Sequence, residues 1–138
     1  MKLTSLLQIA GLLHLGLLCA GGSMPRAVKL HEHLAKLPPF IRRLFLVYFG
    51  FIAMLLVGFG LITFFCANEL AAGGPLARAV CAFLIVFWTV RLVVAAFVFD
   101  VRPYLTNWIL RVGYQATNLV FLYLLAVYVL AFWKGGAP

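Results

Sequence analysis

Four apolar stretches, Leu3–Ala20, Leu44–Ala67, Leu76–Phe99 and about Ile109–Trp133, occupy most of this 138-residue chain. Each meets or nearly meets the ~20 residues that carry a helix across a ~30 Å hydrocarbon core. With no water in that core, backbone N–H and C=O groups must bond within their own segment, and helix is the form that achieves this. The reading is an all-α integral membrane protein. A single membrane domain, 1–138, folds as an antiparallel four-helix transmembrane bundle, since short connections favour adjacent antiparallel packing.

Composition agrees with lipid as the solvent. Hydrophobic residues make up 66% of the chain and charged residues 10%, where a soluble domain carries about 25% charged. The net charge of +8 arises as much from scarce acids (three) as from eleven Lys and Arg. No basic domain exists to hold nucleic acid, so anionic lipid headgroups are the nearer partner.

The first stretch follows Met1-Lys2 in the manner of a signal peptide. Leu18-Cys19-Ala20, however, lacks the small residue that a cleavage site or a lipoprotein site needs before Cys19. It is read as a retained helix. Cys19, Cys66 and Cys81 form neither a CxxC nor a metal-ligand spacing. They read as small buried hydrophobes, with a Cys66–Cys81 disulfide as the alternative.

The loops set an orientation. Loop one carries Arg26, Lys29, Lys36, Arg42 and Arg43, and loop three adds Arg102 and Arg111, against Lys2, Arg78 and Lys134 on the other side. Seven cations against three place loops one and three in the cytoplasm of an inner-membrane protein with both termini outside. Within loop one, Pro25–Leu37 has helical periodicity: Ala27, Leu30, Leu34 and Leu37 on one face, Arg26, Lys29, His33 and Lys36 on another. The expectation is an amphipathic helix on the cytoplasmic headgroups, opened by Pro25 and ended by Pro38-Pro39, with Arg42 and Arg43 as further headgroup contacts. A docking surface for a partner protein is the other reading. Tyr104 and Trp108 of loop three read as interfacial anchors. In the second span, Gly50, Ala53, Val57 and Gly60 form a small-residue stripe suited to close helix packing.

No phosphate loop, HExxH or nucleophile elbow is present, and no catalytic residue is assigned. His31-Glu32-His33 invites a metal, but residues two apart on a helix point about 200° apart and chelate poorly. The polar residues inside the spans are more informative. Arg91 lies eight residues before the end of its span, roughly 12 Å deep. An intramembrane Arg costs about 2.5–3.5 kcal/mol even on a lenient scale, so something should offset it. By the same ruler, His14, Tyr48, Tyr114, Gln115 and Asn118 fall at about 5–11 Å from the same side. Two readings of this cluster stand: interhelical glue, or a ligand site. Its donors in an apolar surround suit a lipid phosphate, a quinone headgroup or a haem propionate. His14 is the one histidine within the spans, which disfavours a bis-His haem.

Four helices with little soluble mass lead to the expectation of a non-enzymatic accessory or anchor subunit of a larger membrane complex, binding lipids and other membrane-protein subunits. An oligomeric transporter or channel, or a redox protein, are the alternatives.

Overall fold

The computed structural model describes residues 2–136, which contain helix and turn but no strand. The elements are α1 (Leu3–Ala27), α2 (Leu30–Ala35), α3 (Pro39–Phe65), α4 (Ala67–Ala72), α5 (Pro75–Phe97) and α6 (Trp108–Lys134), with one 3-10 turn at Arg102–Tyr104. Helices α1, α3, α5 and α6 are long and apolar enough to cross a membrane, which marks the chain as a membrane protein.

Four boundaries differ from the expected ones, one of them the start of α3, at Pro39 instead of Leu44. First, α1 runs seven residues past Ala20, through Gly21-Gly22-Ser23. A glycine in a helix costs only about 1 kcal/mol, too little to stop it, and the Ser23 hydroxyl donates to the Ala20 carbonyl (2.6 Å). Second, Pro25 sits inside α1 instead of opening a new helix, and the expected 25–37 helix is broken. Proline brings no N–H to the turn before it, and two residues further on α1 ends. The N–H groups of Val28 and Lys29 bond back to Met24 and Arg26. Lys29 then takes the left-handed conformation (φ 52°). This turns α2 back so that Leu34 is buried and α2 packs on α1. Third, loop two is largely the helix α4, whose Ala67 and Leu70 are buried.

The packing follows from two pairs. α1 lies along α3 and also touches α6, while α5 lies along α6. α3 and α5, expected to pack directly, meet instead through aromatic rings: Phe59 stands edge-on to Phe83 and Phe87, centroids 5.9 and 5.3 Å away. The physical reason is α4, a helix between them with buried residues of its own, where a tight turn would have drawn the two together. The closest helix approach is between Gly11 of α1 and Gly60 of α3. A Cβ on Gly11 would come 2.8 Å from the Gly60 oxygen, and one on Gly60 would come 3.0 Å from the Gly11 oxygen. Of the small-residue stripe only Gly60 is used this way, whereas Gly50 faces open space.

Buried residues gather on α1 from Leu7 to Leu17, on α3 at Gly60 and Thr63, on α5 from Ala77 to Trp88 with Ala95, and on α6 from Phe121 to Ala131. α3 is the peripheral helix: 6% of its most apolar window is buried, against 28% for α1 and α6. Its first half, including Phe40 and Tyr48, is exposed. Lipid tails are as apolar as leucine, so such a surface carries no penalty in a bilayer. At the far end, Gly73 caps α4 in the left-handed region (φ 74°), and the Gly136 N–H donates to the Ala71 carbonyl, tying down the end of α6.

Candidate functional site

The six intramembrane residues singled out by their depth do not form one cluster. Arg91, Tyr114, Gln115 and Asn118 lie on the paired helices α5 and α6. The Tyr114 hydroxyl donates to the Ala95 carbonyl (3.4 Å), across from a small buried residue that admits the ring. The Arg91 guanidinium lies over the rings of Phe99 and Phe121, 5.8 and 5.3 Å from their centroids. Stacking of this kind on a ring's negative face offsets part of the cost of holding a cation away from water. Tyr114 and Gln115 then line a cleft of about 520 Å³ under the α5–α6 connection, together with Phe99, Asp100, Arg102 and Leu105. Asp100 accepts the backbone N–H of Arg102 (3.2 Å), and both residues line the cleft. The Arg111 side chain donates to the Leu105 carbonyl (3.2 Å). Asn118 sits half-buried one turn after Tyr114.

Tyr48 and His14 lie elsewhere, and both departures trace to helix length. α3 begins at Pro39, so Tyr48 is nine residues in, on the exposed half of that helix and away from α5 and α6. α1 continues to Ala27, so His14 is thirteen residues from its end, about 20 Å, instead of ~9 Å. It is fully buried, surrounded by Phe59, Trp88 and Tyr128 at ring-centroid distances of 6.4, 5.2 and 6.1 Å.

This second, inner group was not legible as a site. It holds Thr63 and Tyr128, whose hydroxyls share a 2.7 Å hydrogen bond from α3 to α6, both side chains fully buried. Cys81 is buried alongside, while Cys19 and Cys66 are exposed and all three are free thiols. His14 Nδ1 lies 2.8 Å from the Ala10 carbonyl. A carbonyl only accepts, so Nδ1 carries the hydrogen and Nε2 presents a lone pair. His14 Nε2 and Trp88 Nε1 are both buried without a partner. A tyrosine and a histidine within apolar runs were the signal available for this group. Phe121 joins the two regions, stacked on Trp88 (5.2 Å) with Arg91 beside it.

The basic residues expected at headgroups occupy the α1–α2–α3 connection. Arg26 lies in the last turn of α1, Lys29 at the break, His33 and Lys36 at the end of α2, and Arg42 and Arg43 in the first turns of α3. The three carboxylates of the chain are too few to neutralise its eleven Lys and Arg. Among the described residues no group of three or more His, Cys, Asp or Glu is placed to hold a metal ion. No protein-family model, curated protein or solved structure matches the chain.

Proposed function

We propose that this protein is a non-enzymatic inner-membrane component, an accessory or anchor subunit of a larger complex, that binds an anionic lipid headgroup at the cleft lined by Arg102, Tyr114 and Gln115, with Arg91 behind its Phe99 wall. In this reading its spans form an antiparallel four-helix bundle with both termini outside. Contacts between α5 and α6 support opposite directions, since Ala95 meets Tyr114 while Trp88 meets Phe121. So do those between α1 and α3, where Gly11 approaches Phe64 and His14 approaches Gly60. That topology brings the α1–α3 and α5–α6 connections, with seven of the chain's cations, to the cytoplasmic leaflet.

The single observation that carries the reading is the cleft itself. Arg102, Tyr114 and Gln115 border the cavity, and Arg91 stacks on Phe99, a ring of its wall. A phosphate accepts from guanidinium and hydroxyl groups together, and the anionic lipids of the cytoplasmic leaflet supply it. The exposed first half of α3 supports the accessory role, because it leaves a long apolar face for another subunit's spans.

Native mass spectrometry of a mild membrane extract tests both parts. Wild-type protein is expected to retain anionic phospholipid and to emerge with other subunits, and Arg91→Leu to lose the lipid. Equal retention of lipid by wild type and Arg91→Leu would overturn the headgroup site. Isolation as a partner-free monomer would overturn the accessory role.

A further inference from the structure

The buried pair His14 and Trp88 is separate from that cleft and has a chemistry of its own. His14 Nε2 offers a lone pair and Trp88 Nε1 a hydrogen, both fully enclosed, and neither has a partner. A buried polar group left unsatisfied is destabilising, and here one acceptor and one donor lie on neighbouring rings with centroids 5.2 Å apart. A hydroxyl is the group that satisfies both at once, donating to Nε2 and accepting from Nε1–H. A carbonyl would satisfy only Trp88.

Phe59 connects this pair to the bilayer. Its ring stands edge-on to His14 (6.4 Å, 79°). The same ring lines a groove of about 300 Å³ between α3 and α5, with Ile62, Ala79, Val80, Phe83 and Leu84. Every one of those side chains is a hydrocarbon, and the groove lies where the two helices meet through rings instead of close backbone. It therefore suits an apolar chain and nothing charged.

We propose that the groove and the two nitrogens form one site for a neutral, lipid-soluble phenol or alcohol. The apolar tail lies between α3 and α5, Phe59 swings as the gate, and the hydroxyl bridges His14 Nε2 and Trp88 Nε1.

The test uses full-length protein in phosphatidylcholine nanodiscs, free of anionic lipid so that the cleft plays no part. Trp108→Phe with Trp133→Phe leaves Trp88 as the sole emitter, both replaced residues being highly exposed. The probes are a brominated long-chain alkylphenol and a brominated alkane of equal length. The phenol is expected to quench Trp88 saturably and the alkane only in proportion to its bilayer concentration. Ala79→Phe, an exposed position on the groove wall, is expected to abolish saturation. His14→Leu should weaken phenol binding about 3- to 10-fold, the net contribution of one hydrogen bond. Equal quenching by phenol and alkane, or saturation unchanged in Ala79→Phe, would overturn the proposal. Ala79→Phe keeps the test decisive if His14→Leu does not fold.

Discussion

Gly11→Ala probes the contact on which the α1–α3 pair rests. The added methyl would sit 2.8 Å from the Gly60 oxygen and from both the nitrogen and Cβ of Phe64. Ordinary van der Waals contact begins at about 3.4 Å, so the two helices must part by roughly 0.6 Å. Two of the three obstructing atoms are backbone, which no rotamer change can move aside. Against this stands the helix propensity of alanine, about 1 kcal/mol better than glycine. Overpacking of this kind costs about 1–3 kcal/mol, and parting the helices also disturbs His14, whose Cβ lies 3.0 Å from where a Gly60 side chain would begin. The net expectation is a loss of up to about 2 kcal/mol, and of about 1–3 kcal/mol relative to a Gly→Ala change in open space. Gly16→Ala is the control, since nothing lies within 4 Å of its Cβ position. It should be neutral or stabilising by up to about 1 kcal/mol. Reversible unfolding in mixed dodecylmaltoside–SDS micelles, followed by circular dichroism, measures both. If Gly11→Ala proves as stable as Gly16→Ala, the helices do not cross at Gly11 and Gly60, and the placement of His14 falls with that crossing.

Three further outcomes follow from the same geometry. Thr63→Val and Tyr128→Phe should each destabilise by about 1 kcal/mol, and their double-mutant cycle should return a coupling near 0.6 kcal/mol, the membrane average; a coupling of zero would remove the α3–α6 bond. Gly73→Ala places a side chain at φ 74° against the backbone of Gly135, so a loss of at least about 1–2 kcal/mol is expected, with faster protease cleavage after Lys134. Protease added to intact spheroplasts should remove an epitope tag at the C-terminus while sparing one inserted at Lys36, and the reverse pattern would invert the proposed orientation.

How far the site could be read in advance depended on which property each residue needed. Depth along a helix is a local quantity, and on α5 and α6 it was reliable. Arg91 and Tyr114 were placed by counting from helix ends that lie within two residues of those observed, and they do share the α5–α6 region. His14 and Tyr48 were misplaced because α1 overran Gly21-Gly22 and α3 began at Pro39. Each added turn moves a residue about 5 Å along the axis. Glycines and a proline, which end helices in water, are weaker stops where lipid and neighbouring helices leave the backbone no better partner than itself.

Trp88 shows the second limit. Three residues before Arg91 it falls on the same face of α5, yet nothing in the sequence shows that its ring turns inward to His14 and Phe121. In a soluble helix the polar face tells which side is buried. Here nearly every position is apolar, so lipid-facing Phe83 and Phe97 and core-facing Leu84 look alike.

The sequence by itself determined that four helices are long and apolar enough to span lipid, roughly where α5 and α6 begin and end, and that positive charge concentrates in two connections. These are properties of composition and of hydrogen bonding within a segment. Only the tertiary structure decided which helices pair, that α3 stays peripheral, and that His14 and Trp88 meet away from Arg91. Close packing made those choices: Gly11 against Gly60 sets the α1–α3 approach, and the rings of Phe59, Phe83 and Phe87 hold α3 and α5 apart. In a solvent as apolar as the side chains themselves, shape complementarity does the sorting that water does elsewhere.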